Sequence, residues 1–173
     1  FPGRGGREPE PVTPWDDIPV EGVRGLDHTA DVGLAVYAPD LPELFRRAAL
    51  GSMWLVLERP PRPDDTSLSP TGPSEERAVE AVEEDLPTLL RAFLRELLYW
   101  AEAEEFVVME ASLILLPAPL CGAPGGQAFG LQGKVQGYID GGPRTREIKG
   151  VTYHGLRVEQ VEEGWAAEVI FDV

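Results

Sequence analysis

Two short polar segments contain both histidines of this chain and one of its two lysines. The first segment, 25–33, carries His28, and the second, 147–154, carries Lys149 and His154. Side chains of these types move protons and neutralise phosphate groups. Because such rare residues gather at two places more than a hundred positions apart, we expect the two segments to form two walls of one site.

The segment 169–173 is apolar apart from one acid, Asp172. Successive side chains of a strand point to opposite faces, and the apolar residues here fall on both faces, which predicts a strand buried on both sides toward its end. A buried carboxylate is costly unless it is paired, hydrogen-bonded or bound to a metal. If the chain ends at Val173, the α-carboxylate of that residue is expected to supply a second anionic group beside Asp172, and Asp31 a third.

Three neighbouring carboxylates repel one another, and a divalent cation relieves that repulsion. Calcium and magnesium both take oxygen ligands, calcium with the looser geometry. In the alternative interpretation, Asp172 is an exposed residue at the end of the chain and Asp31 caps a turn. The residues by themselves leave both interpretations open.

Other chemistries have weaker support in the sequence. A zinc site built from His28, His154 and the single cysteine, Cys121, would need carboxylates to complete it. His28 beside an aspartate is a candidate base, and Lys149 is a candidate for phosphate neutralisation. A histidine in a turn that only hydrogen-bonds the backbone is the simpler interpretation. The sequence contains no Ser/His/Asp arrangement, phosphate-binding loop or dinucleotide-binding fingerprint.

The elements that position these residues can be predicted from local patterns. Residues 1–20 are rich in Pro, Gly and Glu and are expected to form a flexible leader, which leaves 21–173 as a single domain. Apolar residues alternate from Val32 and predict a first strand. Asp40 and Asp85 each precede Leu-Pro and a run of apolar residues at three- and four-residue steps, so each is predicted to cap a helix.

The rest of the chain is mainly strand-like. Residues 76–83 fit a strand and a helix about equally, and 106–109 and 112–116 are short apolar runs. The segments 151–161 and 165–173 are predicted to form a closing hairpin. Because the strands cluster without helices between them, we predict an α+β fold: a largely antiparallel sheet with two helices packed on one face.

The composition of the chain limits the classes of function that it can have. The chain has 173 residues, 43% of them apolar, and a formal charge of −15 from 30 acids and 15 bases. A surface this acidic repels phosphate backbones, so tight direct nucleic-acid binding is not expected, whereas a basic protein partner or a divalent cation is compatible with it. No apolar run is long enough to span a bilayer and no signal pattern opens the sequence, so a cytoplasmic location is the default expectation.

Several motifs together resemble the archease family. They are the segment 27–33, the apolar helix patterns after Asp40 and Asp85, the segment 147–154, and the final Asp172-Val173. The resemblance covers roughly 22–173 in the same order. Gly150 stands where the family commonly has alanine.

The resemblance implies an accessory protein, not itself an enzyme, that assists an RtcB-type RNA ligase by promoting its guanylylation and multiple turnover. It implies a divalent cation, typically calcium, with ligands at Asp31, Asp172 and Val173. It supports a functional role for Lys149, with His28 and His154 as weaker candidates for the partner's nucleotide chemistry.

Two alternatives remain open at the level of sequence. One is a chaperone-like modulator of another RNA-modifying enzyme, such as a tRNA methyltransferase. The other is a metal-dependent hydrolase that uses His28, Asp31 and Lys149. The sequence does not indicate an oligomeric state.

Overall fold

The computed structural model describes Ile18 and the residues 20–27, 31–57, 74–119, 127–140 and 147–173. The predicted leader lies outside these residues except at its end, where Ile18 is buried and Val20 packs against the core. His28 and Cys121 also lie outside the described residues.

Both predicted helices form, and both begin as the sequence indicates. The Asp40 carboxylate accepts a hydrogen bond from the Glu43 amide at 2.9 Å, and the Asp85 carboxylate accepts one from the Thr88 amide at 2.8 Å. Each bond satisfies an amide of the first turn that has no partner within the helix. The helices are α1 (Leu41–Leu57) and α2 (Leu86–Ala103).

The apolar faces of the two helices supply much of the core. Phe45 of α1 and Phe93 of α2 stack with ring centroids 6.1 Å apart, and both are buried. The predicted periodicity is confirmed except in the first turns, where Leu41 and Leu86 are only half-buried. The buried residues at three- and four-residue steps are Leu44, Phe45, Ala48, Ala49, Ser52 and Met53 in α1, and Leu89, Leu90, Phe93, Leu94, Leu97 and Leu98 in α2.

The predicted α+β class is confirmed, and every described strand pair is antiparallel. One detail is corrected, because the strands form two sheets and not one. Sheet A has the order β1-β2-β8-β6, with β7 also paired to β8, and sheet B has the order β3-β5-β4. The strands are β1 (Val23–Asp27), β2 (Asp31–Ala38), β3 (Glu75–Glu83), β4 (Phe106–Pro119), β5 (Gln127–Ile139), β6 (Gly150–Val151), β7 (Arg157–Val161) and β8 (Gly164–Asp172).

Several local predictions are refined. The ambiguous segment 76–83 lies in strand β3. The two short runs 106–109 and 112–116 form one strand, β4, whose pairing shifts between Val108 and Glu110. The expected hairpin forms between β7 and β8, but its first strand is interrupted after Val151 by a turn.

Both helices contact both sheets, so the core lies where the helices pack against the sheets. In sheet A the inward residues Leu34, Val169 and Phe171 are fully buried. The outward face of sheet A carries Asp31 and Asp172. Within the described residues no helix is both long and apolar enough to cross a membrane.

A candidate cation-binding edge of sheet A

Asp31 and Asp172 face each other across two neighbouring strands. Asp31 is the first residue of β2 and Asp172 is the last of β8, and the antiparallel register pairs them directly. Residues paired in this way lie on the same face of a sheet, with Cβ atoms about 4.5–5.5 Å apart. The fold therefore brings together two acids that the sequence separates by almost the whole domain.

The expectation that Asp172 is buried is wrong, because its side chain is exposed, while Asp31 is half-buried. Ile170, two residues earlier on the same face, is buried at 3% exposure. A Cβ atom on Gly155 would lie 3.3 Å from the Ile170 side chain, so the turn at Gly155 covers Ile170. This cover does not bury Asp172, which is why the strand's apolar pattern misled the prediction.

The second predicted wall of the site meets the same end of β8. Gly150 pairs with Asp172, and the Lys149 amide donates a 2.7 Å hydrogen bond to the Asp172 carbonyl. The Thr152 amide donates to the Ile170 carbonyl at 3.0 Å. Asp31, Asp172 and the segment 149–151 therefore form one structure, which we call the acid edge.

Of the remaining predicted residues, Val173 follows Asp172 directly and is half-buried. Lys149 is exposed at the acid edge. His154 is exposed in the turn that follows β6, where its carbonyl accepts a 3.2 Å hydrogen bond from the Thr152 hydroxyl. No bond in the described part of the chain joins the His154 ring to either aspartate, and the position of His28 is not described.

Arg91 is a residue at this site that the sequence analysis did not identify. Its Nε donates to the Val151 carbonyl at 2.7 Å, and its Nη1 donates to the Tyr153 hydroxyl at 3.1 Å. Its guanidinium carbon lies 3.9 Å from the centroid of the Tyr153 ring. Arg91 sits on a half-exposed position of α2, and nothing in its spacing distinguishes it from a solvated helix arginine.

The donor set at the acid edge suits a hard cation better than zinc. Among the described residues, neither aspartate carboxylate nor the Lys149 ammonium takes part in an ion pair. Carboxylate oxygens are preferred ligands of calcium and magnesium. The part of the chain that the structure describes holds no group of three His, Cys, Asp or Glu side chains placed to bind one metal ion. A bound cation would therefore need further oxygens, and the Val173 main chain is the nearest in sequence.

The acid edge lies outside the groove that the structure shows on sheet A. A groove of about 850 Å³ does lie on sheet A, between Arg24 and Arg157 with Tyr37 and Ala166 among its lining residues, but neither aspartate lines it. Within the described residues, the Asp172 side chain is exposed and can be reached by a partner, whereas Asp31 is half-buried.

The similarity to known proteins extends over most of the chain and is not confined to the acid edge. Residues 24–173 match the Archease protein family (MTH1598/TM1083). The chain belongs to the archease family. The match includes both walls of the acid edge, from Asp31 to Val173.

Individual archeases agree with this assignment. The protein archease of Thermococcus gammatolerans is 31% identical over 156 residues, which cover 85% of this chain and 95% of that protein. The protein archease of Archaeoglobus fulgidus is 30% identical and covers 87% and 98% of the two chains. The solution structure of Methanobacterium thermoautotrophicum protein 1598 superimposes with a TM-score of 0.63 at 28% identity, covering 88% of this chain and 99% of that one.

Proposed function

We propose that this archease-family protein is an accessory activator of an RtcB-type RNA ligase, promoting guanylylation of the ligase and its multiple turnover without being an enzyme itself. The observation that carries the proposal is the pairing of a half-buried Asp31 with an exposed Asp172 at the end of β2 and β8. An open edge with two acids can enter the active site of a larger protein, whereas it offers little enclosure for a small substrate.

The acid edge, in this proposal, holds a divalent cation, with calcium as the expected ion. The ligands are the carboxylates of Asp31 and Asp172 and a main-chain oxygen of Val173. Like charges placed directly across a strand pair are destabilising, and a bound cation removes that repulsion. Calcium tolerates irregular oxygen sets that include water, which suits an exposed edge with two acidic side chains. When bound, the cation supplies positive charge for the phosphate oxygens of a nucleotide.

Lys149 has the role of a second positive group at the same edge. Its amide is bonded to the Asp172 carbonyl at 2.7 Å, which fixes the start of its side chain beside the acids. Its exposed ammonium group is thereby available to a partner's phosphate. His154, on the turn that follows, and His28 are candidates for contacts with the partner or its nucleotide.

The charge of the whole chain favours a protein partner over direct RNA binding. A net charge of −15 opposes association with a phosphate backbone. The same charge favours association with a basic surface, such as the RNA-binding face of a ligase. The RNA would therefore be held by the ligase, and this protein would act on the nucleotide step.

A reconstituted ligation assay tests the function. The ligase of the same host is mixed with GTP, calcium and an RNA cleaved to a cyclic phosphate, with and without this protein. We expect many ligations per ligase with the protein and about one without it. Asp172→Ala should lose the stimulation, whereas Glu162→Ala, which removes an exposed acid from the β7–β8 turn, should keep it. The proposal would be refuted if the wild-type protein failed to stimulate the ligase. It would also be refuted if the protein captured a tRNA methyltransferase in place of the ligase.

The contribution of Val173 has a separate test. A protein made to end at Val173 carries a carboxylate at that position, and the same protein with one glycine added carries a peptide carbonyl there, which is a neutral and weaker ligand. We expect calorimetry to show calcium binding weakened several-fold, with an unchanged amide spectrum for the core of β8. Equal calcium affinity in the two proteins would remove Val173 from the ligand set.

A further inference from the structure

The segment 149–154 has few backbone bonds of its own. Its strand, β6, contains two residues. Beyond Val151, the Thr152 amide bonds to the Ile170 carbonyl at 3.0 Å. Beyond Thr152 the described backbone hydrogen bonds of the turn are local, such as the 3.2 Å bond from the Leu156 amide to the Tyr153 carbonyl. A two-residue strand with a local turn is poorly fixed unless another element holds it.

Arg91 provides that support from α2. Its position in the helix is rigid because its neighbours Leu90 and Phe93 are buried in the core. From there it makes three contacts with the segment: the bond to the Val151 carbonyl at 2.7 Å, the bond to the Tyr153 hydroxyl at 3.1 Å and the stack on the Tyr153 ring at 3.9 Å.

The contact with Val151 connects this support to the acid edge. Val151 pairs with Phe171, and the residue before it, Gly150, pairs with Asp172. Displacement of the Val151 carbonyl would therefore also shift the Lys149 amide, which bonds to the Asp172 carbonyl. The order of the acid edge thus depends on a helix residue that is not itself one of its candidate ligands.

We propose that Arg91 is the positioning residue of the acid edge: its planar guanidinium fixes Val151 and Tyr153 together and so holds Lys149 and Gly150 against the end of β8. The inference rests on the proposed function, since it assigns Arg91 a role in the same cation site. A lysine cannot replace it, because one ammonium group lacks the planar fork that donates to two acceptors while stacking on a ring.

The most direct test is amide hydrogen exchange of the full chain. Arg91→Met removes all three polar and stacking contacts but keeps an apolar side chain of similar length. We expect exchange in 149–154 to become about tenfold faster, the size of effect given by the loss of one charge-assisted hydrogen bond. Arg91→Lys should behave like Arg91→Met. Tyr153→Phe, which keeps the ring but removes its hydroxyl, should give a smaller increase.

Arg95 supplies the matched control. It lies one turn later on α2, is exposed, and has no ion pair or hydrogen bond with another described residue. Arg95→Met removes the same charge from the same helix, so we expect unchanged exchange in 149–154. Exchange in the buried part of α2 should match wild type in every variant, which separates local loosening from loss of the fold.

Calcium titration links the contact to the site. In Arg91→Met, the calcium concentration for half-maximal binding should rise about three- to tenfold although all candidate ligands remain, and the half-activation concentration of the ligase should rise with it. A contact that only stabilises the fold would lower the unfolding midpoint without moving these curves.

The outcomes separate the two proposals. Wild-type exchange rates in 149–154 of Arg91→Met, or full rescue by Arg91→Lys, would overturn the positioning role whatever the ligase does. Wild-type protein that fails to stimulate the ligase would refute the proposed function, while faster exchange in Arg91→Met would still support the contact itself.

Discussion

Two regions of this molecule arrange charge in opposite ways. Where α1 meets β4, the Arg46 side chain donates to both oxygens of Glu110, at 2.5 and 2.9 Å, and to Glu43 at 3.1 Å. The bond from Arg46 lowers the pKa of Glu110, and the bond to Glu110 raises the pKa of Arg46. At the acid edge, Asp31 faces Asp172 and neither carboxylate has an ion pair with a described residue.

The two groups of charges differ in what holds their members together. Arg46 and Glu110 lie 64 positions apart, so their paired charges connect a helix to a strand. Asp31 and Asp172 are both acids, and the backbone pairing of β2 with β8 brings them together. The paired cluster therefore stabilises the fold, whereas the acid edge, in the function proposed above, supplies negative charge to an external cation.

The largest expected effect is on cation binding. Asp31→Ala and Asp172→Ala should each weaken calcium binding at least tenfold, because each removes a charged ligand from a site with few. Calorimetry on the two variants measures this. In the presence of a chelator both variants should be as stable as wild type to urea or slightly more stable, since a like-charge pair has been removed. Marked destabilisation of both in chelator would contradict the distinction between the two regions.

The next largest effect is expected for the stability of the protein when Arg77 is replaced, because Arg77, like Arg46, is paired with two glutamates. It bonds to Glu75 at 2.5 Å and to Glu104 at 3.0 Å, and its guanidinium carbon lies 4.0 Å from the Phe106 ring centroid. Burial lowers the pKa of Arg77, but its bonds to the two glutamates outweigh burial and raise it. Arg77→Met should cost about 1–2 kcal/mol in the free energy of unfolding, from lost ion pairs and cation–π contact. Urea unfolding tests this, and calcium affinity should stay constant.

A smaller effect is expected at Glu110. Glu110→Gln removes a paired but half-exposed charge, so we expect a loss of about 0.5–1 kcal/mol in urea unfolding, within the range for partly exposed ion pairs. Calcium binding should not change. Weakened calcium binding in this variant would show that the two regions are coupled.

The smallest effect is in the pH dependence of that pair. Because the pKa of Glu110 is lower in the folded protein than its ordinary value, its contribution is complete above the ordinary glutamate pKa and disappears as the pH falls through the lower folded value. The stability difference between wild type and Glu110→Gln should therefore shrink on acidification through that window. A difference that stays constant from neutral pH down to the most acidic point would contradict it.

Much of this fold could be predicted because its signals are local. Asp40 and Asp85 each cap a helix within three residues, and the apolar steps of both helices fix their buried faces. The division into two sheets could not be predicted, since alternation shows that a strand forms but not which strand it pairs with. The shift between Val108 and Glu110 was missed because it depends on pairing with β5.

The candidate site could also be predicted only in part, because long-range contacts do not appear in local sequence patterns. The sequence indicated that Asp31 and Asp172 converge, and the structure pairs them, but it could not show that the cover over Ile170 leaves Asp172 exposed. Arg91 was missed because its partners, Val151 and Tyr153, lie 60 and 62 positions away.

The central place of β8 in sheet A has a consequence for how the protein acquires its structure. β8 joins β2 to β6 and β7, and its contacts with β2 connect residues more than a hundred positions apart, whereas β4 and β5 adjoin along the chain. Long-range pairing is slow because a large loop must close first. We therefore expect pulse-labelled amides of β4 and β5 to become protected before those of β2 and β8, so that the acids meet late in folding. Simultaneous protection of both sheets would exclude this order.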